Sequence, residues 1–265
     1  MELREWKKRL QPYEYAMEEL KVKIKNVRKQ FKDDGEYSPI EFVTGRIKKI
    51  SSILDKAKRL GISVDEIDDK MEDIAGLRIM CQFVEDIYTV VDILRTRNDM
   101  TVVYEKDYIK NYKESGYRSY HVIIRYPVQA KEGEKEILVE IQIRTLSMNF
   151  WATIEHSLKY KYNEYIPEDI ALRLRRSADA AFLLDQEMSE IREEIQRAQV
   201  MFEMKSLTVK EIVESIQAIY RMGRTEEALR FQALFDRINT IDDLDAIVTL
   251  KRNLESLLDK YNKKD

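Results

Sequence analysis

Glycine and proline are scarce in this chain, with 7 and 4 among 265 residues. So few chain-breaking residues leave little room for long loops and point to a helix-rich protein. The single cysteine, Cys81, excludes a disulfide framework within the chain and a cysteine zinc site, and it fits a reducing compartment. Only two histidines occur, His121 and His156, too few for the histidine-rich metal centre of a His–Asp phosphohydrolase. There is no Walker A sequence and no G-x-G-x-x-G. The usual glycine-loop phosphate cradles are therefore missing, and side chains must do most of any phosphate binding. The net charge of −3 gives no global basic field for nucleic acid. Met1 leads directly into charged residues, and no run approaches a membrane-spanning length. A cytoplasmic location is expected.

What is present is a core-forming composition. Hydrophobic residues make up 44% and charged residues of both signs 36%, enough for one large domain or a domain with an appendage. Trp6, Leu10, Tyr13, Met17, Leu20, Ile24, Val27 and Phe31 alternate spacings of four and three, predicting one long helix with an apolar seam. Pro39, with Ser38 as N-cap, predicts a second helix to about Leu60, stopped by Gly61. A turn-rich bridge, Ile62 to Lys70, follows. Leu77, Ile79, Cys81 and Phe83 then alternate with Arg78, Met80 and Gln82 as a strand. A helix is expected over 85–97 and a short strand over 101–104. Tyr120 to Tyr126, ended by Pro127, and Ile137 to Arg144 are expected to pair antiparallel across a loop at 131–134. Helix returns from Met148 to Tyr162 and again from Pro167. There Leu174, Ala178, Ala181, Leu184, Met188, Ile191, Ile195, Ala198 and Phe202 form a second seam. Each seam must be buried, against the other or in another subunit. The pattern breaks at Lys205-Ser206, and Thr208 to Asp265 predicts three more helices. Within them, residues 219–229 resemble a single tetratricopeptide-type hairpin.

Four features carry chemistry. In Leu138 to Thr145, Val139, Ile141 and Ile143 face a core, while Glu140, Gln142 and Arg144 face the other way. That is either an ordinary solvated strand face or a site. Asp73 precedes a strand in Asp73-Ile74-Ala75-Gly76-Leu77-Arg78. It is either a turn residue or, with Glu140, a holder of Mg²⁺, which takes one or two carboxylates plus substrate phosphates. Gly116-Tyr117 offers a tight turn and a flat ring ahead of His121, the kind of surface a purine stacks on. Arg46, Lys48, Lys49, Lys56, Lys58 and Arg59 form a basic helix. Alone it reads as a solvated face, and beside two acids and an aromatic turn it reads as a polyphosphate site.

Residues 38–46, Asp73 to Ile79, Gly116 to His121, Val139 to Thr145 and Trp151 to His156 together resemble the synthetase core of the RelA/SpoT family. The similarity is to its small, stand-alone RelQ-type members and covers about residues 1–200. The resemblance implies a GTP pyrophosphokinase that moves pyrophosphate from ATP to the ribose 3′-hydroxyl of GDP or GTP. It implies Asp73 and Glu140 as Mg²⁺ carboxylates, with Glu140 also the base. Arg46, Lys48, Lys56, Arg59, Arg78 and Lys106 are then the ATP-binding groups, Lys106 standing where relatives carry Arg. Lys113, Tyr117, His121, Gln142, Asn149 and Ala152 form the GDP/GTP pocket. The resemblance further implies a homotetramer with an allosteric alarmone (pppGpp) site at Lys21, Lys25, Glu41, Phe42, Thr44 and Asn149, and a link to single-stranded RNA. The long members' hydrolase activity is not expected.

The expected fold is α+β: a central mixed β-sheet flanked by long α-helices, with a C-terminal helical extension. Residues 1–203 are expected to form the synthetase domain and 204–265 the extension. The alternative reading is a non-catalytic nucleotide- or RNA-binding regulatory oligomer, which has no use for Asp73 and Glu140 facing one pocket.

Overall fold

The structure, a computed structural model, describes residues 3–131, 133–161, 167–241 and 243–262. It contains two compact units, residues 1–189 and 190–265. In the first, helix α1 (Leu3–Asp33) lies on a five-stranded sheet. The strands are β1 (Phe42–Ile47), β2 (Ala75–Cys81), β3 (Thr101–Asp107), β4 (Tyr120–Ala130) and β5 (Gly133–Thr145), in the order β1-β2-β5-β4-β3. β2 and β5 run parallel and the other neighbours antiparallel, so the sheet is mixed as expected. Helices α2 (Ile50–Leu60), α3 (Ile67–Lys70), α4 (Val84–Arg95) and α5 (Leu146–Lys161) connect and flank the strands. Helix α6 (Glu168–Arg221) begins in the first unit and ends in the second. Helices α7 (Thr225–Ile241) and α8 (Leu244–Asn262) complete the chain. The fold is the α+β arrangement expected.

The seam of α1 from Trp6 to Val27 is buried, with Leu20 and Ile24 fully so. It packs on β1, β2, β4 and β5 within the same chain rather than against a second seam. Each such side chain contributes about 1.5–3 kcal/mol by leaving water. Gly45 on β1 is what lets α1 approach, since a Cβ there would lie 2.1 Å from Met17 Sδ. In α6, by contrast, Leu184, Met188, Ile191, Ile195 and Phe202 are exposed.

The structure corrects the reading of residues 39–60. Phe42 to Ile47 is a strand paired antiparallel with β2, and the helix begins only at Ile50, with Lys49 at its N-cap position. Ser38 instead accepts a hydrogen bond from Ile40 N at 3.2 Å, forming a local turn. Arg46 therefore sits on a strand and Lys48 in the connection, not on a helix. Gly61 does close α2, in the left-handed region at φ 65°. The bridge over 62–70 contains a 3₁₀ turn at Val64–Glu66 and the short α3. β3 runs on to Asp107, which brings Lys106 into the sheet. Pro127 does not end β4, because β3 pairs only as far as Arg125. Beyond it β4 is an edge, where a missing N–H is tolerated. β5 begins at Gly133, inside the expected loop. α6 continues through Lys205-Ser206 without a break, since polar residues on a solvated helix interrupt only the apolar pattern. Tyr162 lies outside the described residues.

In the second unit, Ile212, Ile216 and Ile219 pack with Ala228, Phe235, Ile247, Leu250 and Leu254 as a separate core. No helix among the described residues is long and apolar enough to cross a membrane.

Candidate active site

Strand register builds the site floor. One cross-strand row runs Arg46, Gly76, Glu140, Ile123, Tyr104, and the adjacent row runs Thr44, Arg78, Gln142, His121, Lys106. Because side chains alternate across a sheet, both rows lie on the face opposite α1. Val139, Ile141 and Ile143 face the core, fully buried. Gly76 leaves bare floor between Arg46 and Glu140, with no atom nearer than Arg46 O at 3.9 Å to an added Cβ.

Glu140 is held from both sides. His121 Nδ1 lies 2.9 Å from its Oε1, and Gln142 Nε2 donates to its Oε2 at 2.8 Å. Burial pushes the Glu140 carboxyl up, but the His121 contact and the Gln142 amide outweigh this and leave it below the usual glutamate range. The network continues from His121 Nε2 to the Tyr117 hydroxyl at 2.7 Å. Arg144 then donates to Tyr117 at 2.6 Å and to Gln142 Oε1 at 2.8 Å. Arg78 Nε reaches the same Gln142 oxygen at 3.3 Å.

Asp73 stands just before β2, where Lys48 Nζ donates to its Oδ2 at 2.6 Å and Lys56 Nζ lies 2.9 Å from Oδ1. Each carboxylate oxygen of Asp73 is thus met by an ammonium group. Burial raises the Asp73 carboxyl, and the two ammonium groups more than offset this, so it lies below the usual range. Arg78 is pushed down by burial and by the neighbouring Arg144 and Arg46 guanidiniums. Buried Arg144 and half-buried Arg78, with exposed Arg46 beside them, form a crowded cationic patch that an oligophosphate would relieve. Arg59 is exposed on α2.

The aromatic turn lies on the other side. Gly116 at φ 86° closes it, with Gly116 N donating to Lys113 O at 2.8 Å. Lys113 Nζ sits over the Tyr108 and Tyr117 rings at 4.8 and 5.0 Å, and Arg144 lies 5.1 Å from the Tyr117 centroid. Trp151, Ala152 and Ala178 pack behind Tyr117. Asn149, on α5, has a buried Oδ1 without a hydrogen-bond partner.

The structure thus brings Asp73, Lys48 and Lys56 together, and joins Glu140, Gln142, His121, Tyr117, Arg144 and Arg78. Lys106 lies beside His121 on the far edge strand from Arg46, its ammonium 4.7 Å over the Tyr104 ring. Of the expected regulatory residues, Lys25 and Phe42 line a cavity of about 300 Å³ with Arg28, Lys29 and Lys32. Glu41 pairs with Arg28 at 3.5 Å and accepts from Gln82. Lys21 lies near Gly45, Thr44 shares the row of Arg78, and Asn149 is on α5. Sequence reasoning left Arg144 without a role, although it was visible as the third polar residue of β5. The hydrogen bond from Tyr104 to Glu72, beside Asp73, carried no sequence signal. Among the described residues no group of three or more His, Cys, Asp or Glu side chains forms a metal cage.

Known proteins share the family of this chain. A region found in RelA / SpoT proteins matches residues 45–165. The GTP pyrophosphokinase YjbM of Bacillus subtilis is 58% identical over 205 residues, 77% of this chain and 97% of its own. This chain belongs to the RelA/SpoT family. The crystal structure of small alarmone synthetase 1 from Bacillus subtilis bound to its product pppGpp is similar at a TM-score of 0.70 and 59% identity, covering 72% of this chain and 98% of that one. The same synthetase bound to AMPCPP matches at a TM-score of 0.65 and 55% identity, over 73% and 98% of the two chains. These RelA/SpoT relatives are matched almost end to end, while part of this chain has no counterpart in them.

Proposed function

We propose that this chain transfers the β,γ-pyrophosphate of ATP to the ribose 3′-hydroxyl of GDP or GTP, releasing AMP and making the alarmone of the stringent response. The observation that carries this is one sheet face with Glu140 at its centre, Arg46 and Arg78 on one side, and His121 and Tyr117 on the other. A carboxylate between a cationic patch and a cation-flanked aromatic turn suits two nucleotides meeting end to end. That relatives are bound to AMPCPP and to the product pppGpp supports nucleotide substrates and product of these classes.

In this reading the 3′-hydroxyl oxygen attacks the β-phosphorus, the bond from that phosphorus to the α,β-bridging oxygen breaks, and AMP leaves with that oxygen. Glu140, ionised because His121 and Gln142 hold it low, accepts the hydroxyl proton. Arg46, Arg78, Lys48, Lys56 and Arg59 bind the donor and offset charge on phosphate oxygens. Tyr117 stacks on the guanine, with Lys113 and Arg144 over its ring and Asn149 and Ala152 beside it. The donor set fits Mg²⁺: two carboxylates, both held below their usual range, are what this ion uses alongside phosphates. Asp73 and Glu140 would hold it, and it would supply further charge neutralisation there.

The synthetase chemistry is assigned to residues 1–203, with 204–265 as a helical extension. The cavity at Lys25 and Phe42, ringed by Arg28, Lys29 and Lys32, suits a regulatory phosphorylated nucleotide, in a homotetramer of this chain. The test is to incubate the protein with ATP, Mg²⁺ and GDP or GTP and resolve the nucleotides by anion exchange, with Glu140→Gln in parallel. AMP and a more phosphorylated guanosine nucleotide should appear together and be lost in the variant. Full turnover by Glu140→Gln overturns the assignment of the base.

A further inference from the structure

Arg118 follows Tyr117 directly, yet it turns away from the reacting groups and into the packing between the aromatic turn and α6. It is buried, 7% exposed. Its guanidinium lies over both the Tyr112 and Phe182 rings, at 4.4 and 4.5 Å from their centroids. One terminal nitrogen donates to Gly116 O at 3.1 Å, and the other to Asp179 Oδ1 at 3.0 Å. Nε has no hydrogen-bond partner. A buried guanidinium is costly unless stacked and paired, and this one is both.

The backbone on either side of Tyr117 is fixed by these contacts. The Gly116 carbonyl, which belongs to the peptide entering Tyr117, is held by Arg118. Tyr117 O accepts from Lys113 N at 3.2 Å. The turn is pressed so closely on α6 that a Cβ at Gly116 would lie 2.6 Å from Ala178 Cβ. Ala178, Asp179 and Phe182 thus form one face of α6 against which the turn is set. Neither Arg118 nor Asp179 is in hydrogen-bond contact with Glu140, His121 or Gln142; Arg144 and Lys113 supply the cations there.

We infer that Arg118, paired with Asp179, is a positioning residue that presets the Tyr117 ring and Lys113 ammonium for the guanine nucleotide, an inference that rests on the synthetase reading. A turn left free would have to be ordered by the incoming nucleotide, and that ordering would weaken its binding. The donor groups Arg46, Lys48 and Lys56 lie on β1, its connection and α2, elements the Arg118 contacts do not touch. The effect is therefore specific to the acceptor.

The test measures KM for GTP at saturating ATP and KM for ATP at saturating GTP. It compares wild type, Arg118→Lys, Arg118→Ala and Asp179→Asn, with thermal unfolding of each. Arg118→Lys keeps the charge but loses the planar stack and the fork. KM for GTP is expected to rise about fivefold or more in the Lys and Asn variants while KM for ATP stays within about twofold. Equal changes in both constants, or a lower melting temperature with both constants unchanged, overturn the inference. If Arg118→Ala does not fold, the Lys and Asn variants decide. If wild type makes no product, the synthetase reading falls, and equilibrium dialysis with GDP decides this inference alone. Weaker GDP binding by Arg118→Lys supports it, and equal binding overturns it.

Discussion

His121 touches Glu140 through Nδ1 at 2.9 Å and Tyr117 through Nε2 at 2.7 Å, so one imidazole links the carboxylate to the aromatic turn. Its contact with Glu140 opposes the upward push of burial on that carboxyl. In His121→Asn the carboxyl should therefore rise, and a smaller fraction should be ionised in mildly acidic solution. The acid limb of the pH–rate profile is expected to move to higher pH, with turnover at neutral pH down about tenfold or more. A profile of unchanged shape would show that His121 does not tune the base.

Gly116 gives a second prediction. At φ 86° a side chain costs about 1–3 kcal/mol, whatever space is available. Here the space is also missing, because of Ala178. Gly116→Ala should lower stability in chemical denaturation by at least that amount and raise KM for GTP. Adding Ala178→Gly should restore only part of the loss, because it removes the clash and leaves the dihedral strain.

Much of the site was legible because its residues lie on strands whose alternation is short-range. Glu140, Gln142 and Arg144 could be assigned to one face of β5 from spacing alone. β1 was misread because Thr44-Gly45-Arg46 after a proline does not alternate cleanly. What makes it a strand is pairing with β2, and what requires Gly45 is Met17 on α1. Both causes are distant in sequence. The same limit hid Tyr104 with Glu72 and Arg118 with Asp179, partners separated by 32 and 61 positions. The seam of α1 was read correctly as buried, but periodicity could not say that a sheet would cover it.

Asp73 predicts an acid response. Burial raises its carboxyl, while Lys48 at 2.6 Å and Lys56 at 2.9 Å bring it below the unfolded value. A depressed carboxyl contributes stability in full above its unfolded pKa and loses it as pH falls through the folded one. Lys48→Met removes the hydrogen-bonded ammonium and leaves the burial. The acid limb of the stability curve should then move to higher pH, with a loss of about 1 kcal/mol at neutral pH. Thermal unfolding across about pH 3–7 reads the shift. A parallel downward displacement at every pH would assign the effect to lost packing instead.

Leu254 tests the second unit. It is fully buried in the cluster formed by α6 from Val209 onward, α7 and α8. Truncating it to Ala should cost about 2–5 kcal/mol there, through lost burial and the cavity left behind. Perturbations that share no packed neighbour are additive. Leu254→Ala should thus speed proteolysis within residues 209–262, leaving pyrophosphate transfer and both KM values unchanged. Should turnover fall together with protease resistance, the second core would be energetically coupled to the site. The 54-residue α6, the one helix belonging to both units, would then be the element to break next, with a glycine substitution near its middle.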